Sequence, residues 1–346
     1  QLFPQASVSS HMHNWGPPVL QLMITESFNS PKTDKVPGTH DKCKPFLPIE
    51  EQVELLKSRN LTINNEQYAK DILEDSNYYR FSGYSLTLRK KDHFFEGVSF
   101  ETIEDIYNCD QALRSLLFHY LQIIEVRVKS VYAYEFAKMY GPTSYTDPAN
   151  FKSGMTDQEL KNILEKPTEM RQKRLNDELF LKHYQGVDLL PIWIFIELFT
   201  FGDISRIYAV SSDELKRAVL VSLRKDHKNT NNFSYLESNL RCLTTLRNFC
   251  AHGSRLFNRV FYRKPSLSNK ELSLLKAGNS ISDKLYGYKT FNPDNSHLYG
   301  FIIVMKRFLR DNVFSTLKNS ILELKGKYPT VDMGYYGFPK GWESAV

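Results

Sequence analysis

The sequence predicts an all-α protein, a helical bundle with an N-terminal helical extension and a C-terminal helix. Three observations predict it. Between residues 101 and 140, Ile103, Ile106, Leu113, Leu117, Leu121, Ile124, Val128 and Val131 recur mostly at steps of three and four, the period of one helix face. Between 233 and 252, Leu236, Leu240, Leu243 and Leu246 mark a second stripe. No stretch alternates apolar and polar residues as a strand ladder requires, and no internal repeat is present.

The elements follow in order. Residues 1–42 read as a loosely ordered leader, punctuated by Pro4, Gly16, Pro17, Pro18, Pro31, Pro37 and Gly38. Ser10-His11-Met12 resembles the scar of a removed tag, so part of the leader is expected to be non-native. Residues 43–100 form an N-terminal helical and aromatic region. Pro48, Glu50 and Glu51 suit the first turn of one short helix, with Val53, Leu55 and Leu56 inward. Asn64 or Asn65 caps a second, with Tyr68, Ile72 and Leu73 buried. The aromatic run 77–89 offers Tyr78, Tyr79, Phe81 and Tyr84 beside Arg80 for stacking on bases, although aromatic side chains are more often core material.

The long helix closes at Gly141-Pro142. Its charged residues Asp110, Arg114, Glu125 and Arg127 read as surface ion pairs in the plainer view. Helices at 156–166 and 168–184 follow. Gly202-Asp203 breaks the apolar stretch 191–207, and Asp203 caps a helix from Ile204. A helix at 212–225 precedes the Leu-rich one, which Gly253 terminates. After 264, a C-terminal region (265–346) carries one helix over 296–326 and an irregular tail from Tyr328.

Composition excludes some classes. Hydrophobic residues make up 41% and charged residues 24% of 346, the balance of a globular protein. No run of about 18 apolar residues appears, so no membrane span or membrane partner is expected. No signal peptide is evident. Cys43, Cys109, Cys242 and Cys250 form no CxxC pair, so neither a metal knuckle nor a disulfide framework is expected, and a reducing cytoplasm is the simplest setting. His11 and His13 carry no weight as ligands, and His119 and His183 read as packing or surface residues. No metal and no cofactor is expected. The net charge is +6, but Lys216 to Lys264 holds eleven basic residues against Asp226 and Glu237, a local +9. Such an excess attracts polyanions such as RNA; a solvated helix face is the plain alternative.

Arg247 and His252 stand five positions apart in RNFCAH (247–252). Five steps of about 100° leave two side chains about 140° apart, so they converge only if the helix ends or the Arg reaches round. Arg114 and His119 share this spacing mid-helix, without the Asn or Gly, and read as chance. Cys250 and His252 point to opposite sides, which disfavours a Cys-His nucleophile.

The surrounding segments carry more. LRNFCAHGSRLFNR (246–259) resembles the RN-x-x-x-H signature of HEPN ribonucleases and, more closely, the Abi family of abortive-infection proteins of AbiD/AbiF type. KPFLPIEEQVELLKSRNL (44–61), SNYYRFSGYSL (76–86), IYNCDQALRSLLFHYLQIIEVRVKS (106–130) and PIWIFIELFTFGDISRIY (191–208) are similar to the family's segments in the same order. Gly253 and Phe257 depart from the polar residue and the Trp expected there.

The resemblance implies a HEPN-like catalytic core over 101–264 and a metal-independent endoribonuclease. His252 acts as general base or acid, Arg247 stabilises the phosphorane charge, and Asn248 holds the geometry. Cleavage leaves a 2′,3′-cyclic phosphate. Glu125, with Arg127 and Asp110, is a supporting candidate. Candidates for RNA contact are Arg241, Arg255, Arg259, Arg263, Lys264, Arg224, Lys225, Arg80 and Tyr79. The implied setting is toxin or phage defence. Beside the RNA substrate, the expected partners are a small structured non-coding RNA as regulator and a second copy of the chain, since one motif is half a site. A non-catalytic RNA-binding HEPN module and a helical protein-interaction scaffold are the alternatives.

Overall fold

The computed structural model describes residues 45–223, 233–277 and 295–345. It is all-α. The chain divides into two compact units, 1–52 and 53–346, and the candidate site lies in the second. Cys43, the leader, Arg224 and Lys225 lie outside the described residues.

The N-terminal helices are α1 (Ile49–Ser58), α2 (Glu66–Ser76) and α3 (Tyr78–Ser82). Asn65 caps α2 by accepting from the Tyr68 N–H at 3.0 Å. Tyr68 corrects an expectation: it is 40% exposed, and its hydroxyl donates to Glu104. Ala69 and Leu73 fill the inner face instead. A hairpin of two two-residue strands, β1 (Arg89–Lys90) and β2 (His93–Phe94), follows, the one paired sheet among the described residues.

The long helix is α4 (Phe100–Tyr140), capped by Ser99 and ended by Gly141 at φ +94°. It is the organising element. The helices α7 (Ile192–Phe195), α8 (Phe201–Val210), α9 (Asp213–Leu223), α10 (Phe233–Ala251), α12 (Leu298–Phe308) and α13 (Asp311–Lys327) all pack against it. Leu113, Leu117, Leu121, Ile124 and Val128 are almost fully buried along its length. Burying a Leu or Val side chain contributes about 1.5–3 kcal/mol, so this seam adds substantially to the second unit's stability.

Three expectations fail. One helix, α5 (Asp157–Arg174), runs straight through Pro167 where two were expected, and α6 (Leu179–His183) is a single turn. Pro167 packs inward and is buried, which offsets its missing N–H. Thr200, not Asp203, caps α8, with Asp203 as the third residue of a reciprocal capping box, and Gly202 lies inside the helix. The C-terminal helix is two, because Leu309 and Arg310 are extended between α12 and α13. A further helix, α11 (Asn269–Ala277), precedes them, and α14 (Trp342–Ala345) closes the described chain. The tail packs: Val331, Met333, Tyr336, Phe338 and Trp342 are buried.

Candidate active site

The RNFCAH segment ends α10. Leu236, Leu240, Leu243 and Leu246 are buried, which fixes the helix against α4. The helix then stops at a glycine turn. The Gly253 N–H donates to the Cys250 carbonyl at 3.2 Å and the Ser254 N–H to the Phe249 carbonyl at 2.9 Å, with Gly253 at φ +64°. That pair of bonds is the Schellman arrangement, which needs a left-handed residue after the cap. His252 is therefore the cap residue and stands exposed. The departure at Gly253 has a reason. A Cβ there would suffer the positive φ and would sit 2.9 Å from Arg80 Nη2.

Arg247 lies one turn and a half earlier and is about three-quarters buried. Its Nε lies 3.6 Å from Glu125 Oε2, and the Nε–H donates no hydrogen bond. Its Nη1 donates to Asn248 Oδ1 at 3.2 Å, and its guanidinium lies over the Phe118 ring at 5.9 Å. Glu125 is 8% exposed and also pairs with Lys129 at 3.2 Å. The structure thus brings Arg247, Asn248 and Glu125 together. His252 stands at the helix end beyond them.

The view of α4's charges as surface ion pairs is corrected: Asp110, Arg114 and Glu125 are buried. Asp110 is fully buried and accepts from the backbone N–H groups of Leu256 (3.2 Å) and Phe257 (2.8 Å). It also accepts from the Tyr84 hydroxyl at 2.8 Å and from Arg114, which donates to Tyr84 at 3.0 Å. Burial, then the Asp110 charge, pushes the Tyr84 and Tyr336 phenols up. This network pins the loop that follows the motif. Phe257 packs between Tyr335 and Tyr336, and the Asn258 N–H donates to the Tyr335 carbonyl, so the tail buttresses the same loop. Tail and Tyr336 were missed at the sequence level.

Arg127 does not join the site. It donates to the Leu223 carbonyl at 3.0 Å and to the Phe308 carbonyl, closing the ends of α9 and α12. Of the aromatic run, Phe81 and Tyr84 are core, whereas Tyr79 is 71% exposed. Arg80 is exposed and its guanidinium donates to the Gly253 carbonyl, beside His252.

The basic segment is not one uniform face. Arg241 pairs with Glu237 at 2.7 Å, and Lys216 is buried 3.7 Å from the same carboxylate. Arg263 and Lys264 are exposed and line a shallow depression with Arg241, Ser238 and Glu237. Arg255 and Arg259 are half-buried beside the glycine turn. Burial pushes the Cys250 thiol up to about 12, so it stays protonated at neutral pH and is a poor nucleophile. Among the described residues, no group of three or more His, Cys, Asp or Glu side chains is placed to hold a metal ion. No helix among them is long and apolar enough to cross a membrane.

The family described as Abi-like protein matches residues 71–258, just over half of the chain. The chain belongs to that family. Neither a curated protein nor a solved structure matches it. The Abi-like region runs from α2 through α10 to Asn258, and so takes in Arg247, His252, Asp110 and Glu125. The helices α11 to α14 lie beyond it, yet Tyr335 and Tyr336 from that part hold the Abi-like region's last loop.

Proposed function

We propose that this Abi-like protein is an endoribonuclease of HEPN type, of the AbiD/AbiF kind, that acts in abortive infection as a toxin restrained by a partner. The observation that carries the reading is the end of α10. An exposed imidazole sits on a helix-terminating turn, and an arginine one and a half turns earlier is held by a buried carboxylate.

The chemistry follows from those groups. An imidazole titrates near neutrality and moves the proton of a ribose 2′-hydroxyl or of the departing 5′-oxygen. The 2′-oxygen is the nucleophile and the phosphodiester breaks to a 2′,3′-cyclic phosphate and a 5′-hydroxyl. No metal is required to generate the nucleophile. Arg247 supplies a fixed positive charge to the phosphorane oxygens. Asn248 and Glu125 set the Arg247 rotamer, and Glu125 is a positioning residue.

A single His252 serves as base or acid at one time. A second copy of the chain, presenting its own Arg247 and His252 across a shared cleft, supplies the complementary role. The exposed Arg263 and Lys264 suit a structured RNA regulator. Incubation of the purified chain with single-stranded RNA in EDTA tests the reading. Wild type cuts, whereas Arg247→Ala and His252→Ala lose activity by about 10²–10⁴-fold. Undiminished cutting by both variants contradicts the site. A non-catalytic RNA-binding module is the second reading, favoured by the exposed basic side chains of Arg263 and Lys264. It predicts salt-sensitive binding with no cyclic-phosphate product.

A further inference from the structure

Arg255 and Arg259 follow the glycine turn, and each donates to a backbone carbonyl and lies against an aromatic ring. Arg259 Nε donates to the Arg255 carbonyl, and its guanidinium lies over the Phe249 ring, 4.4 Å from the centroid. Arg255 Nη1 donates to the Phe257 carbonyl at 3.1 Å, and its guanidinium lies 6.0 Å from the Tyr84 ring centroid. Arg255 Nε would also lie 3.7 Å from a Cβ on Gly83, so it borders the segment that carries Arg80. Gly253 admits the Arg80 guanidinium, since a Cβ there would lie 2.9 Å from Arg80 Nη2.

Neither Arg255 nor Arg259 forms an ion pair with a carboxylate among the described residues, whereas Arg241 and Arg307 pair with Glu237 and Glu271. Asp110 is the acid whose charge both feel, and its oxygens are already taken by Arg114, Tyr84 and two backbone N–H groups. Burial, then repulsion from Arg255, lowers the Arg259 guanidinium to about 10, and burial lowers Arg255. Withdrawing two like charges from water without a counter-charge is costly. An oxyanion removes that cost, and the guanidinium fork matches the paired oxygens of a phosphate.

We propose that Arg255 and Arg259 form a phosphate-oxyanion subsite beside the glycine turn, and that it takes a backbone phosphodiester of the RNA strand running to His252. Arg80, on the Gly253 carbonyl, flanks it. The subsite gives the strand a register relative to His252; this role rests on the ribonuclease reading.

The test uses the full chain and a labelled single-stranded RNA carrying 2′-O-methyl groups, which removes the nucleophile, with Kd measured across a salt series. Arg255→Gln and Arg259→Gln each raise Kd about five- to tenfold, and each flattens the log–log salt slope by about 0.7, one single-strand phosphate contact. Arg259→Lys, which keeps the charge and the fold but loses the fork, gives a smaller loss. Lys173→Gln, on α5 and paired with Glu169, changes neither. Unchanged Kd and slope in folded Arg255→Gln and Arg259→Gln overturn the proposal. Inorganic phosphate separates the two sources of the oxyanion. Thermal stabilisation by phosphate that is lost in Arg259→Gln, while RNA affinity is unchanged, assigns the subsite to free phosphate and overturns the strand assignment. Cleavage of unmodified RNA is scored separately. Arginine-dependent binding without cleavage keeps the subsite and sinks the nuclease; cleavage with arginine-independent binding does the reverse.

Discussion

Asp110 and Glu125 are two buried carboxylates on one helix, about 22 Å apart along its axis at 1.5 Å per residue, and they do different things. Asp110 is saturated: two backbone N–H groups, a phenol and a guanidinium converge on it. Glu125 is shared loosely, 3.2 Å from Lys129 and 3.6 Å from Arg247. The first is built to fix backbone; the second positions the Arg247 guanidinium, which also donates to Asn248 Oδ1. The difference shows how one helix both anchors the motif's exit loop and presents its arginine.

The comparison breaks most readily at Asp110. Asp110→Asn leaves Arg114 buried without its counter-charge, so stability falls by about 3–5 kcal/mol, read as a lowered midpoint in urea. A loss under about 1 kcal/mol makes the anchor dispensable. Glu125→Gln acts on function more than on fold. Cleavage kcat falls about tenfold, or about 1.4 kcal/mol, with KM unchanged, because the Arg247 charge is misplaced in the transition state. Equal changes in kcat and thermal midpoint across a series at this position reduce Glu125 to a structural ion pair. Gly253→Ala costs about 1–2 kcal/mol, from the positive φ and from displacement of Arg80. Arg241→Gln, removing an exposed pair with Glu237, changes stability by about 0.5 kcal/mol or less.

Much of the arrangement was legible in the sequence where the cause is local. Apolar spacing alone gave α4 and α10, and Gly253 marked the helix end because a left-handed residue is required there. Glu125 came as a supporting candidate only from the resemblance of the long helix to the Abi family's. The unread part is long-range. Nothing near Asp110 announces bonds to backbone N–H groups at 256 and 257, and Tyr336 meets Asp110 only once the tail has folded back. Leu309 and Arg310 break a helix with neither glycine nor proline to signal it, whereas Pro167 signals a break that does not occur. The basic segment 216–264 misled in the other direction. Charge counting cannot separate Arg241, paired with Glu237, from Arg255 and Arg259, which lack an acidic partner among the described residues.

The central claim is that His252 and Arg247 cleave RNA through the 2′-hydroxyl. The most direct measurement is mass spectrometry of the termini produced from a defined RNA, with a matched substrate bearing one 2′-deoxyribose at the cut position. The account predicts 2′,3′-cyclic phosphate and 5′-hydroxyl ends from the first and no cut in the second. Cleavage at the deoxyribose position, or products with 5′-phosphate ends, contradicts it.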